Sequence, residues 1–396
     1  MMNNVHKPFQ IGLIGTGRIS DIYIQTCAKF DELEIVSCGS LDAEESQKKA
    51  EMYGIPKVQS PEEILADPNI DCILNLTIPA SHASLTLKAL EAGKHVYSEK
   101  PFVTDVSDCR RILDLASSKN LKVGNAPDTF FGGRWQTVRK LLDKQVIGKP
   151  TGVMAFAGTH GVERHHPNPD FYYQTGGGPL LDLGPYYLTA MVFLLGPISK
   201  VSGMARKTFD QRMIENGKRY GEKIKVEVDT HSLSMFEFQN GSIGSMTLSF
   251  DIWDSETPRL EIYGEDGTIC IPDPDPVHGA NIFQGPVLYR TRSESRWEFQ
   301  PRPKDRGDWL VAENTHGFNQ DSRGVGLLDL YYAVRDDRAV RASAELAAHV
   351  CEVMHGILDA PSQGGFVSVK STCDAPEILP ENFPASENQD HERHGI

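Results

Sequence analysis

Four short stretches of this sequence hold residue types that can do chemistry. Gly15-Thr16-Gly17-Arg18-Ile19-Ser20 is a G-x-G-x-x-S turn, one letter from the dinucleotide-binding fingerprint. Gly15 allows a tight turn, Gly17 lets a pyrophosphate approach the backbone, and the third position needs only a small residue, which Ser20 supplies. The free N–H groups at the start of the following helix favour an anion. Asp182 and Tyr186, in GGGPLLDLGPYY, stand four residues apart, so on a helix they share a face and can reach one substrate. A tyrosine, with an ordinary pKa of about 10, becomes a usable general acid or base when a nearby cation lowers it. The preceding loop, ERHHPNPDFYYQTGGG, is polar, aromatic and stiffened by proline, as binding loops are. His165, His166, Asn168 and Asp170 can hydrogen-bond hydroxyl groups, Tyr172 and Tyr173 can stack on a ring, and His166 is the second candidate base. A histidine pair also raises metal binding, but no spaced His or Cys cluster completes a ligand set, so no metal is expected. The fourth stretch, Glu99-Lys100-Pro101, places two opposite charges and a residue without an N–H directly after the strand-like HVYS. Taken alone it reads as a solvated, salt-bridged turn.

Around these residues the first 125 positions alternate between strand-like and helix-like runs. FQIGLIG leads into RISDIYIQTCAKF, LEIVSCG into AEESQKKAEMYG, DCILNLTI into SHASLTLKALEAG, and HVYSE into SDCRRILDLASSKN and LKVGNA. Strict alternation of this kind predicts a parallel, doubly wound sheet with helices on both faces. Its carboxyl edge is where α/β ligands bind, which makes Asn125 and Asp128, in VGNAPDTFFGG, further candidates for cofactor or substrate contacts. The residue that holds the adenosine ribose belongs at the end of the second strand, about 20 residues past the glycine turn. That place reads CGSLDAEE, so Ser40 occupies it. No arginine follows to pair a 2′-phosphate, and Lys48 and Lys49 lie well along the helix; NAD is therefore the expected cofactor, with NADP left open.

Beyond residue 127 the texture changes. TFFGGRWQTVRKLLDKQVIG reads as one helix, TGVMAFAGTHG as a strand and GPYYLTAMVFLLG as a helix. KVSGMARKTF, HSLSMFEFQN, GSIGSMTLSF and RLEIYGEDGTICIP follow as strands, with Asn240-Gly241 and Asp266-Gly267 as hairpin turns. A late helix carries Leu346, Val350, Val353 and Ile357 on one stripe. The expected organisation is α/β throughout. Residues 1–127 form a Rossmann domain, and 128–373 a substrate-binding and oligomerisation domain with a large, mainly antiparallel open sheet. Residues 374–396 form a loose tail.

Composition narrows the function classes. The chain has 396 residues, 24% charged, with 40 Lys plus Arg against 54 Asp plus Glu, a formal net charge of −14. That balance disfavours nucleic acid as a partner. No window is apolar enough for a membrane helix, and the opening MMNNVHKPFQ has no signal-peptide core. Seven scattered cysteines without a C-x-x-C pair argue for a reducing cytoplasm instead of a disulfide framework.

LNLTIPASHASLTLKALEAGKHVYSEKP closely resembles the Gfo/Idh/MocA family of oxidoreductases, named for glucose–fructose oxidoreductase and inositol dehydrogenase. The matching residues are Thr77, Pro79, His82, Ala92, Gly93, Lys94, His95, Glu99, Lys100 and Pro101. The likeness continues in GGGPLLDLGPYYLTAMVFLLG and in VCEVMHGIL, so it covers most of the chain. It implies that the E-K-P turn lies beside the nicotinamide, commonly with a cis bond at Pro101. Thr77, Pro79, His82 and Glu99 would lie against the cofactor, and Lys100 would point toward the substrate hydroxyl. An ammonium there stabilises a developing alkoxide. Many relatives carry D-x-G-x-H; here Tyr186 stands in place of the histidine, as in the glucose–fructose oxidoreductase and dihydrodiol dehydrogenase branches. The resemblance implies hydride transfer between NAD(P) and a secondary hydroxyl or ketone of a sugar, polyol or glycoside, in a homodimer or homotetramer. Alternatives on the same fold are a dinucleotide-binding regulator, a redox-neutral glycosidase that uses NAD, and a dihydrodiol-type dehydrogenase; the lysine favours an enzyme.

Overall fold

The computed structural model describes residues 7–272, 284–292 and 309–384. In chain order the elements begin β1 (Phe9–Ile14), α1 (Ser20–Cys27), β2 (Leu33–Gly39), α2 (Ala43–Tyr53), β3 (Lys57–Val58), α3 (Pro61–Ala66) and β4 (Cys72–Asn75). They continue with α4 (Pro79–Glu91), β5 (His95–Ser98), α5 (Val106–Ser118), β6 (Val123–Asn125), α6 (Gly133–Asp143), β7 (Pro150–Gly158), α7 (Pro179–Leu195) and β8 (Ile198–Arg206). Then come β9 (Gln211–Met213), β10 (Lys223–Lys225), β11 (His231–Phe238), β12 (Ile243–Ser249), β13 (Leu260–Gly264), β14 (Gly267–Ile271), β15 (Leu288–Thr291) and β16 (Leu310–Val311). The last are α8 (Val325–Arg335), α9 (Ala344–Asp359) and β17 (Phe366–Ser368).

The chain divides into two compact units, each described here by itself. The first comprises the described parts of Met1–Gly132, Gln320–Cys351 and Leu379–Ile396; the second comprises Gly133–Asn319 and Glu352–Ile378. The first holds a six-stranded parallel sheet in the order β3-β2-β1-β4-β5-β6, which is the Rossmann order expected from the alternation. Its central strands are apolar on both faces because helices cover both: Ile11, Leu13, Cys72, Leu74, Val96 and Tyr97 are all buried. Part of that cover arrives from far along the sequence. Leu327, Leu328, Leu330, Tyr331 and Tyr332 of α8 join one core with β1, β2, α1 and β4. This helix was not read from the sequence, and it assigns residues 320–351 to the first unit, whereas the sequence reading cut the domains at 127 and 373.

The second unit holds a nine-stranded sheet, β16-β15-β14-β13-β7-β12-β11-β8-β17, antiparallel except where β12 runs parallel to β7. Its inner face carries Phe236, Phe238, Met246 and Leu248, all buried, and Gly184 of α7 lies against Leu248. Both expected hairpins are present. Asn240 Oδ1 accepts from Ser242 N–H (2.8 Å) between β11 and β12, and β13 pairs with β14 across Asp266. TFFGG is not part of one long helix: Thr129–Phe131 form a separate 3₁₀ turn, and α6 starts only at Gly133. The extended backbone of Gly132 (ψ 144°) interrupts the helical path. The tail from 374 is irregular but held as far as it is described: Leu379 is buried and Phe383 packs edge-on to Tyr332 at 5.5 Å. Residues 385–396, and most of the N-terminal stretch read for a signal peptide, lie outside the described residues.

Candidate active site

The glycine turn is built against the end of β4, the strand beside β1 in the sheet. Gly15 has φ +105°, and a Cβ there would sit 2.5 Å from the Leu76 carbonyl and 2.7 Å from the Thr77 nitrogen. Only glycine fits. Two residues later the situation reverses, because a Cβ on Gly17 would meet nothing within 4 Å. This open side is where a pyrophosphate would approach the backbone. Ser20, fully buried, turns its hydroxyl back onto the Gly17 carbonyl (2.7 Å) and closes the first turn of α1. Arg18 is exposed, and Ile19 is half-buried. The turn therefore fits a dinucleotide in shape and in its exposed donors. Across from it, Ser40 Oγ lies 3.0 Å from Thr16 Oγ1 and 2.9 Å from Ser46 Oγ, which ties the end of β2 to the glycine turn.

The same geometry answers what the E-K-P turn is for. Asn75, at the end of β4, accepts from the Thr77 hydroxyl (2.7 Å) and donates to the His82 carbonyl (3.2 Å). Pro79 opens α4, where its missing N–H costs nothing. One turn on, the buried His82 ring lies 2.9 Å from the Thr77 carbonyl through Nε2 and 2.7 Å from the Pro101 carbonyl through Nδ1. It staples the end of β4 to the turn after β5. Glu99, 7% exposed, accepts from Tyr23 Oη (2.9 Å) and from the N–H of Lys100 (2.7 Å). The Lys100–Pro101 bond is cis, as the resemblance implied, and so is Ala126–Pro127. Lys100 itself is half-buried. Asn125 is buried, donates to the Ala126 carbonyl, and receives nothing from the described residues at its own Oδ1. Asp128 has no exposed surface. Its Oδ2 accepts from the N–H groups of Gly324 and Gly326 (2.8 and 2.9 Å) at the start of α8, and burial pushes its carboxyl up to about 6.

In the second unit α7 carries Asp182 in its first turn and Tyr186 one turn later, both half-buried. Gly184 between them lets the helix approach α9: a Cβ there would lie 3.2 Å from Met354 Sδ. In the loop before α7, His165 and Asn168 are exposed. His166 is half-buried, accepts from the Asn168 N–H through Nδ1 (3.1 Å) and sits edge-on to Phe171 and Tyr172 at 5.6 and 5.4 Å. Asp170 is held by Arg219. Tyr173 cannot stack on a ligand as the sequence reading allowed. It is fully buried, donates to Glu163, and packs edge-on to Phe250 at 5.9 Å.

Sequence reasoning missed what lies beneath this loop. Arg212, from the β9–β10 hairpin, reaches Asp251 (2.8 Å) and Glu163 (3.6 Å), all three nearly buried. Asp251 also accepts from Thr230 Oγ1 (2.7 Å), and Arg212 lies 3.4 Å from His160 Nε2. Burial, helped by the guanidinium, holds His160 below its ordinary pKa, and the ring stacks on Trp253 at 3.4 Å. No spacing in the sequence links positions 163, 212 and 251; only the sheet does. Among the described residues no group of three His, Cys, Asp or Glu side chains is arranged to hold a metal, and no helix is long and apolar enough to cross a membrane.

Residues 9–126 match the family model for an oxidoreductase family with an NAD-binding Rossmann fold, and residues 135–270 match the GFO/IDH/MocA C-terminal domain. The chain belongs to the Gfo/Idh/MocA family. Within it, the chain is 34% identical over 199 residues to dTDP-3,4-didehydro-2,6-dideoxy-alpha-D-glucose 3-reductase of Saccharopolyspora spinosa, a match that spans 49% of this chain and 59% of that protein. It is 22% identical over 262 residues to Myo-inositol 2-dehydrogenase of Thermotoga maritima, covering 66% of this chain and 74% of that one. The solved structure of levoglucosan dehydrogenase in complex with NADH and levoglucosan superposes with a TM-score of 0.73 at 19% identity, covering 92% of this chain and all of that one. At that identity the likeness is one of fold. This Gfo/Idh/MocA protein is an NAD(P)-binding oxidoreductase.

Proposed function

We propose that this protein transfers a hydride between a nicotinamide cofactor and a secondary hydroxyl, or the corresponding ketone, of a sugar, polyol or glycoside. The observation that carries this reading is the fixing of Lys100 within the first unit. The glycine turn packs on Leu76 and Thr77, His82 joins Thr77 to Pro101, and Glu99 holds the Lys100 N–H. A lysine so anchored to the dinucleotide turn supports a role beside the cofactor, since a surface salt-bridge turn needs none of this scaffolding. A bound dinucleotide supplies the hydride acceptor or donor. Tyr186, with Asp182 one turn before it, is the candidate to take the hydroxyl proton on oxidation and return it on reduction, with His166 as the second candidate base, and Lys100 is the candidate to stabilise a developing alkoxide. His165 and His166 present donors and acceptors suited to sugar hydroxyls. Relatives named for sugar and inositol substrates support that substrate class, and a relative named trans-1,2-dihydrobenzene-1,2-diol dehydrogenase, 30% identical over 193 residues, supports the dihydrodiol alternative. The seven cysteines form no disulfide, which fits a cytoplasmic setting.

The test is incubation with NAD(P) and a panel of sugars, polyols and glycosides, following the reduced-nicotinamide absorbance. A dehydrogenase generates that absorbance, whereas a redox-neutral glycosidase releases aglycone without it and a regulator does neither. With a substrate in hand, Lys100→Met and Tyr186→Phe should each lower kcat by ~10²–10⁴ while the cofactor dissociation constant changes little. Full turnover in either variant would remove that residue from the chemistry.

A further inference from the structure

We propose that the amino edge of the six-stranded sheet holds a second ligand site, one that takes a small aromatic carboxylate. A cavity of about 580 Å³ opens there, lined by Phe9 at the start of β1, Lys94 and His95 at the start of β5, and Tyr331 and Val334 of α8. That volume is in the range of small-molecule sites. Cofactors of parallel sheets bind at the opposite, carboxyl edge. β1, running from Phe9 to Ile14, sets roughly 20 Å between the cavity and the glycine turn. The dinucleotide therefore does not account for the cavity.

Lys94 is the reason for an anion. It is 5% exposed, and its ammonium donates to the carbonyls of Asp67 and Ile70 (2.5 and 2.8 Å). An ammonium has three donors; the third has no partner among the described residues. The two carboxylates whose charge it feels, Asp67 and Asp71, are held by Lys57 (3.3 Å) and Lys7 (3.7 Å). A buried cation without a counter-ion is costly, and an anion that reaches it removes the cost. His95 adds a neutral donor. Its Nδ1 accepts from the Lys122 N–H (3.0 Å), so in the neutral ring the proton sits on Nε2, which has no partner among the described residues. Beside these donors stands an apolar wall: Phe9 packs edge-on to Tyr331 at 5.9 Å and tilted to His95 at 5.8 Å, a surface for an aromatic ring. Arg335, also lining the cavity, is already clasped by Asp336 (2.6 and 2.8 Å). One uncompensated cation and one neutral donor, with the Asp71 carboxylate on the rim, suit a monoanion. A phosphate, with between one and two negative charges, is repelled by Asp71.

The experiment is a saturation-transfer NMR titration of the full chain with benzoate, benzamide and phenyl phosphate, each with and without saturating NADH. Benzoate should bind saturably whether or not NADH is present. Neutral benzamide should bind ~10-fold or more weakly, the loss expected for one charge-assisted hydrogen bond, and phenyl phosphate should also bind more weakly than benzoate. Lys94→Met should weaken benzoate by a similar factor. Val334→Trp, which fills the cavity and leaves Lys94 in place, should abolish benzoate binding, with an unchanged NADH affinity showing that the variant is folded. No saturable benzoate binding overturns the proposal, as does benzoate that NADH displaces. So does a benzamide or phenyl phosphate affinity equal to that of benzoate, or benzoate binding to Val334→Trp as it does to the parent.

Discussion

Asp128 shows how burial can turn a candidate ligand residue into a titrating part of the fold. Its carboxyl has no exposed surface, and desolvation raises it to about 6 even though two amide N–H groups favour the anion. A folded value above the unfolded one means that the group contributes most stability when protonated. That contribution is fully present below about pH 4, the unfolded value, and is lost as pH rises through about 6. The span corresponds to ~2–3 kcal/mol. Asp128→Asn should therefore flatten the pH dependence of stability, so that the gap between parent and variant melting curves narrows from about pH 4 to pH 7. A gap that stays constant across that range would show that Asp128 does not titrate there.

Among the elements, α8 is the one whose docking depends on close approach. A Cβ on Gly326 would stand 2.3 Å from Tyr97 Oη and 2.9 Å from Asp128 Cβ, both on fully buried residues with no room to give. Gly326→Ala should cost ~1–3 kcal/mol by overpacking, seen as a lower melting temperature. Part of that loss should return on adding Tyr97→Phe, which removes the nearest atom while the Tyr97 ring carbon (2.8 Å) and Asp128 Cβ (2.9 Å) still crowd the site. Equal losses in the single and double variants would mean that the clash lies elsewhere. Farther along α8, Asp329 is fully buried and answers Arg338 (2.6 Å) and Arg341 (2.7 Å), fixing the turn that leads back to β6. Such pairs hold a segment in register more than they add stability.

For the molecule as a whole, the outer face of the nine-stranded sheet is the surface to account for. Leu233 pairs across to Met204 and Thr247, and Met235 to Ser202 and Ser245. Leu233 and Met235 are 50% and 51% exposed, Met204 and Ile243 more so. An apolar face of this kind marks an interaction site. The homo-oligomer that the family resemblance implies can be tested at this face. Leu233→Glu with Met235→Lys keeps the net charge and, at exposed positions, should leave the fold intact. Light scattering should then find a single 43.9 kDa chain where the parent gives a multiple of it. A parent that is already monomeric, or a variant that still associates, would exclude this face.

Local pattern alone determined a large share of this protein. The glycine turn, the β/α alternation, the parallel sheet, the two hairpins and the run from Thr77 to Pro101 each depend on residues within a few tens of positions. Propensity, periodicity and turn chemistry act over that range, so those features were legible before any fold was known. Only the tertiary structure decided the rest. It brought α8 onto the first sheet and aimed Asp128 at amides nearly 200 residues away. It buried Tyr173 against Glu163 and gathered Arg212, Glu163 and Asp251 under one loop. None of these leaves a periodic trace, because each follows from which surfaces exclude water together, and a chain specifies that only when its distant segments meet.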